Sequence, residues 1–182
     1  MADNLHDVIV VGAGMVGATA ACLLARAGLS VAVVESQPPP VFDPSAPVGL
    51  RVSAISPGAA DVLAEAGAWR IISRTRHCAY RRMHVEDRNA SASIDFNSAE
   101  FGLERLGSIV ENSLVQSALW QCLNALAAVE IHCPERLQAI EFEPHGVRLR
   151  LQNGQCLAGR LLVGADGADS AVRRLLGVGT QY

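Results

Sequence analysis

The alternation of apolar and polar residues changes period along this chain, and each change marks an element. Val8-Ile9-Val10-Val11 is a continuous apolar run after a polar start, so Asp7 to Val11 reads as a strand buried on both faces of a parallel sheet. Helical spacing takes over from Met15 to Ala27, and Gly28 stands where helices commonly end on glycine. Ser30 to Glu35 reads as a second buried strand, finishing on an acid. The three form a βαβ unit whose crossover is expected to be right-handed. Gln37 to Pro47 holds five prolines and little periodicity, which predicts an excursion over the surface.

Further on, Ser56-Pro57 supplies a helix cap followed by proline at the first helical position, and Gly67 closes that helix. From Arg82 to Phe96 the period becomes two. Met83 and Val85, then Ala92, Ile94 and Phe96, alternate with polar residues on either side of Asp87-Arg88-Asn89-Ala90, which predicts a half-exposed antiparallel hairpin. Ser113 is expected to cap a long helix with Leu114, Ala118, Leu119, Cys122, Leu123 and Leu126 on its apolar face. Short strands are expected around Val129 to Cys133, Leu137 to Glu143 and Val147 to Gln152, with Asn153-Gly154 as a type I′ turn. Arg160 to Val163 reads as a buried strand, and Ser170 to Leu176 as a helix. The fold class is α/β: a Rossmann-like parallel sheet flanked by helices, with the start of an antiparallel sheet.

Composition narrows the class of function. Half of the 182 residues are hydrophobic and 18% are charged, which places the chain among globular domains. A net charge of −3 leaves no basic footprint for nucleic acid. The five cysteines show no C-x-x-C spacing, which argues against a metal site or disulfide framework and for reduced thiols in the cytoplasm. Met1 to Asp7 carries no secretory signal, and no apolar run reaches the roughly 18–20 residues of a membrane span. Peripheral membrane contact stays open.

Candidate chemistry sits in two glycine-bearing turns. Gly12-Ala13-Gly14-Met15-Val16-Gly17 and Gly164-Ala165-Asp166-Gly167-Ala168-Asp169-Ser170 each follow an apolar run and open into a helical pattern. Such a turn brings backbone N–H groups and a helix N-terminus to a phosphate. Two of them point to one large dinucleotide held at two places, FAD in preference to NAD. Within the first turn Gly12 makes the bend, Gly14 lets pyrophosphate approach and Gly17 packs helix on strand. Glu35 is placed to accept from a ribose diol, and no arginine follows it for a 2′-phosphate. Asp166, at the end of its strand, can accept a ribityl or ribose hydroxyl, while Ser170 caps the next helix. No Ser/His/Asp set or carboxylate pair is evident, so no catalytic residue is assigned; His77 and His84 read as surface or hairpin residues.

These turns, with Ile109-Val110-Glu111-Asn112, Leu50-Arg51-Val52-Ser53-Ala54-Ile55-Ser56, Tyr80-Arg81-Arg82-Met83 and Ala118-Leu119-Trp120, resemble the class A flavoprotein monooxygenases. Among these the likeness is to the ubiquinone-biosynthesis hydroxylases, and it covers essentially the whole chain. The resemblance implies that Gly12, Gly14, Met15, Val16, Gly17 and Glu35 hold the ADP half of FAD. It implies that Arg51 lies near the pyrophosphate, Asn112 on the ribityl side, and Asp166 with Gly167 at the cofactor or at a passing NADPH. It also implies that NADPH or NADH reduces the flavin, and that O2 then hydroxylates a polyprenyl phenol ring. A setting on the inner membrane face or in a quinone-biosynthesis complex is compatible with this.

The family carries a third, Gly-Asp motif that does not occur in residues 1–182. The chain is therefore expected to be an incomplete FAD-binding domain, inactive alone, with a hairpin at about 79–97 belonging to the substrate layer. Another flavoprotein oxidoreductase (reductase, epoxidase or halogenase) and a non-catalytic nucleotide-binding fragment are the alternatives.

Overall fold

The computed structural model describes residues 5–89 and 92–179. It opens with β1 (Leu5–Val11), α1 (Met15–Arg26) and β2 (Val31–Val34), followed by β3 (Val52–Ile55), α2 (Pro57–Glu65) and α3 (Trp69–Thr75). Next come β4 (Cys78–Tyr80), β5 (Arg82–Glu86), β6 (Ser93–Asn97) and a 3-10 turn at Ser98–Phe101, then β7 (Gly107–Glu111) and α4 (Asn112–Ala125). The remainder is β8 (Val129–His132), β9 (Leu137–Glu143), β10 (Gly146–Leu151), β11 (Cys156–Gly164) and α5 (Ala171–Leu175).

The main sheet runs β8-β2-β1-β11-β10-β9. Neighbours from β8 to β11 are parallel, while β11, β10 and β9 form an antiparallel meander. The apolar run of β1 serves two cores. Val8 and Val10, with Val31 and Val33 of β2, meet α1 and α4; Ile9 and Val11, with Ala32 and Val34, meet Leu149, Leu151, Leu157 and Val172. Each fully buried aliphatic side chain such as Ile9 or Leu119 contributes about 1.5–3 kcal/mol. Helix α1 buries only small side chains, Ala18, Ala21, Cys22 and Ala25 among them, so it can approach α4 closely. Its end matches the expectation, with Gly28 at φ 90°.

The hairpin is present as a separate two-stranded sheet, β5 on β6, with Met83 opposite Phe96 and Val85 opposite Ile94. Ala90 and Ser91 of its connection lie outside the described residues. Other expectations need correction. Asn112, not Ser113, is the first residue of α4, and the capping position is Glu111, whose carboxylate is engaged elsewhere. Asn153-Gly154 is not a type I′ turn, because that turn needs positive φ at both central residues and only Gly154 has it (87°). The strand at Arg160–Val163 is not fully buried, and Leu161 is 54% exposed. β10 pairs with β11 no further than Val147 to Gly159, so beyond Gly159 that edge has no partner strand among the described residues. The sheet β3-β7-β4 and helix α3 were not foreseen.

Candidate functional site

β1 and β11 are parallel neighbours, with Val11 paired to Gly164, so the two glycine turns leave the sheet side by side. They are also joined. Ala165 N–H donates to the Val11 carbonyl at 2.7 Å, and Gly12 N–H donates to Val34 at 2.8 Å. At Gly12 φ is 98°, and a Cβ there would land on the Ala165 carbonyl. The bend assigned to this glycine is therefore also a backbone contact between the turns. Gly17 packs as expected, since a Cβ would strike the Gly12 carbonyl oxygen. Gly14 differs from both: its φ is −65°, and a Cβ would meet nothing within 4 Å. The space in front of Gly14 is open.

Both turns line one crevice of about 440 Å3, within the range of about 300–1,000 Å3 usual for ligand pockets. Of the sequence-predicted residues it brings together Gly12, Gly14, Glu35, Asp166 and Gly167. Met15 packs into the α1–α4 core and Val16 is 76% exposed. Their backbone N–H groups lie in the first turn of α1, where helix N–H groups lack an intrahelical acceptor. Sequence reasoning missed Glu135, Arg136, Gln152 and Arg174, which complete the walls. They come from the loop after β8, the β10–β11 turn and α5, elements whose convergence no local pattern reveals.

The carboxylate of Glu35 holds the first turn in place. Oε2 accepts from Ala13 N–H at 2.7 Å, while Oε1 accepts from Gln37 N–H and the Ser36 hydroxyl. A carboxylate has about four acceptor positions, so a place remains for another donor. Ala13 is held from its other side too, where the Trp120 indole donates to its carbonyl at 3.0 Å. Asp166 is bound to its own helix: Oδ1 accepts from Ser170 Oγ at 2.5 Å, and Oδ2 accepts from Ala171 and Val172 N–H. Burial alone would raise its pKa, but the Ser170 hydroxyl and these amides together bring it below the ordinary value. Ser170 also caps α5, accepting from Arg173 N–H.

Arg51 and Asn112 do not line the crevice. They lie together just beyond the end of the β3–β7 ladder, where Asn112 N–H donates to the Arg51 carbonyl at 3.0 Å. The Asn112 side chain accepts from the Ser53 hydroxyl at 2.6 Å. The Arg51 guanidinium is exposed and has no partner among the described residues. Burial, with Cys122 nearby, pushes the Cys22 thiol up to about 12, which disfavours the thiolate that a nucleophile needs. Among the described residues no three His, Cys, Asp or Glu side chains come together as metal ligands, and no helix is long and apolar enough to cross a membrane.

Comparison with known proteins decides the family. The FAD binding domain family matches residues 6–181. The chain belongs to that family. This FAD-binding domain is 35% identical over 179 residues to the 3-demethoxyubiquinol 3-hydroxylase of Escherichia coli, covering 98% of the chain and 46% of that protein. It is 34% identical to the human mitochondrial ubiquinone biosynthesis monooxygenase COQ6, covering 97% of the chain and 40% of that protein. Among solved structures it matches PqsL, a probable FAD-dependent monooxygenase from Pseudomonas aeruginosa, at TM-score 0.75 and 26% identity, covering 98% of the chain and 47% of PqsL. The chain thus spans less than half the length of these proteins. The crevice leaves room for a cofactor phosphate at both turns, since nothing lies within 4 Å of a Cβ added at Gly14 or Gly167.

Proposed function

We propose that this FAD-binding domain holds FAD for a hydroxylase of ubiquinone biosynthesis, with the ADP half at Gly12, Gly14, Gly17 and Glu35. The observation that carries the cofactor reading is the joining of the two glycine turns on one crevice, with open space before Gly14. The first-turn N–H groups of α1 face the pyrophosphate. The remaining acceptor position of Glu35 takes a ribose hydroxyl, and Arg51, whose exposed guanidinium lies outside that crevice, reaches toward the phosphates from the start of β3 with a planar fork of donors. Bound flavin, reduced by NADPH or NADH, supplies the activation of O2. The protein orients the cofactor and excludes water. Likeness to the E. coli and human proteins supports a polyprenyl phenol as the ring hydroxylated; peripheral association with the membrane or a biosynthetic complex is part of the same proposal. The β5–β6 hairpin belongs to the substrate layer of this reading.

Titration of the 182-residue chain with FAD and with FMN tests the cofactor assignment. FMN keeps one phosphate but lacks the AMP portion, and with it the adenosine ribose assigned to Glu35, so it should bind more weakly by at least tenfold, the loss of about 1.5 kcal/mol. Equal affinity overturns the placement. Given FAD, NADPH, O2 and a polyprenyl phenol, the chain alone should yield no hydroxylated product by mass. Turnover of about 1 per second, ordinary for an enzyme, would overturn the view that it supplies only the cofactor half.

A further inference from the structure

Residues 37–50 form no regular element, and their apolar anchorage is confined to Phe42, which is half-buried against the core; Val41 is 95% exposed, Val48 64% and Leu50 102%. A segment so poor in buried apolar surface cannot hold one conformation by its own packing. Arg76, just past α3, grips it. Its Nη1 donates to the carbonyls of Ala46 (2.9 Å) and Pro44 (3.4 Å), and its guanidinium lies 5.4 Å from the centre of the Phe42 ring. The same guanidinium binds Glu111 Oε2 through Nε (2.8 Å) and Nη2 (2.7 Å). Glu111 is only 6% exposed, and its other oxygen accepts from Gly49 N–H at 2.7 Å. One partly buried ion pair thus closes the segment at Pro44, Ala46 and Gly49.

Placement of the clamp gives it a consequence. Glu111 immediately precedes Asn112, and Gly49 lies two residues before Arg51. Asn112 N–H bonds the Arg51 carbonyl, so both residues are set by backbone that the ion pair fixes on either side. Arg51 has no side-chain partner among the described residues, so its direction depends on that backbone.

We propose that Arg76 and Glu111 are positioning residues that hold residues 42–49 over the β7–α4 junction and thereby aim Arg51 and Asn112 at the bound cofactor. This rests on the reading of the site as an FAD site. A lysine cannot replace Arg76, because one ammonium cannot serve Glu111 and the loop carbonyls together in the geometry of the planar fork. A glutamine cannot replace Glu111, because it brings no charge to the guanidinium.

The test uses FAD with wild type, Arg76→Lys and Glu111→Gln, reading three quantities: FAD affinity, melting temperature and the rate of chymotryptic cleavage at Phe42 and Leu50. In wild type, FAD should slow cleavage there, because a ligand that needs the ordered loop stabilises it in turn. Both variants should be cut faster and bind FAD on the order of tenfold more weakly, as expected for losing charged hydrogen bonds. That loss should exceed what their melting shift accounts for. Variants whose loop is released but whose FAD affinity equals wild type overturn the inference, as does a wild-type loop cut at the same rate with and without FAD. The second measurement needs no variant to fold. A wild type that takes up no FAD overturns the site reading itself, and this inference with it.

Discussion

The three glycines of the first turn should respond differently to the same added methyl group. At Gly14 the added Cβ meets open space and φ is −65°, so Gly14→Ala costs the fold little. Lower unfolded-state entropy favours alanine by about 0.4–1 kcal/mol, and loss of a good capping residue opposes it by a few tenths or more. The melting temperature should hardly move. At Gly17 the methyl lands on the Gly12 carbonyl oxygen, and overpacking of that kind costs about 1–3 kcal/mol. For a domain of this size each kcal/mol is about 2–4 °C, so Gly17→Ala should melt several degrees lower. Binding should reverse the order. The space before Gly14 is where pyrophosphate approaches, so Gly14→Val should lose at least one charge-assisted bond, about 1.5–3 kcal/mol, or roughly 10- to 150-fold in affinity. Thermal melting by circular dichroism and flavin-fluorescence titration give both numbers. A Gly14→Val chain that binds FAD like wild type, or a Gly14→Ala chain destabilised as much as Gly17→Ala, refutes the reasoning.

Trp120→Phe should lower the melting temperature through the Ala13 carbonyl left without its donor, about 1–3 kcal/mol; an unchanged melt counts against it. Glu35→Ala should weaken FAD binding by a similar 1–3 kcal/mol in fluorescence titration, since Ala13 N–H and the ribose lose one acceptor; wild-type affinity would remove Glu35 from the site. Asp166 has its folded pKa below the ordinary 3.8, so its stabilising effect is full above that value and lost as pH falls through the folded pKa. Asp166→Asn should therefore flatten part of the acid-side fall in urea midpoint below the ordinary carboxylate range, and identical acid profiles would show that the carboxylate does not matter there.

Local patterns carried the βαβ unit because every cue agreed: a doubly buried strand, small residues on one helix face and glycine at each end. They failed where the decisive contact is distant in sequence. Strand β7 runs Gly-Ser-Ile-Val-Glu without clean alternation, and it exists because β3 and β4 pair with it from either side. Its last residue, Glu111, stands at the capping position of α4 in place of the expected Ser113, yet its carboxylate is held by Arg76, 35 residues away. The exposure of Leu161 likewise follows from where β10 stops, which nothing in the composition of β11 encodes. At the site, the glycines and Glu35 were legible because each answers a backbone requirement at fixed spacing. Arg136, Gln152 and Arg174 were not, since their placement in the crevice depends on the meander folding back.

Ala13 draws the elements of the site together. It is fully buried. Its N–H is held by the acid that ends β2 and its carbonyl by a tryptophan of α4. Its neighbour Gly12 is pressed against Ala165 of the second turn. A glycine-rich loop left to itself would sample many conformations, and ordering it would subtract from ligand affinity. Here both peptide groups of the turn are fixed before any ligand arrives, by groups from separate elements of the fold. The N–H groups ahead of Gly14 are thereby preorganised, and that rigidity, more than the glycines themselves, distinguishes this turn from a chance G-x-G-x-x-G.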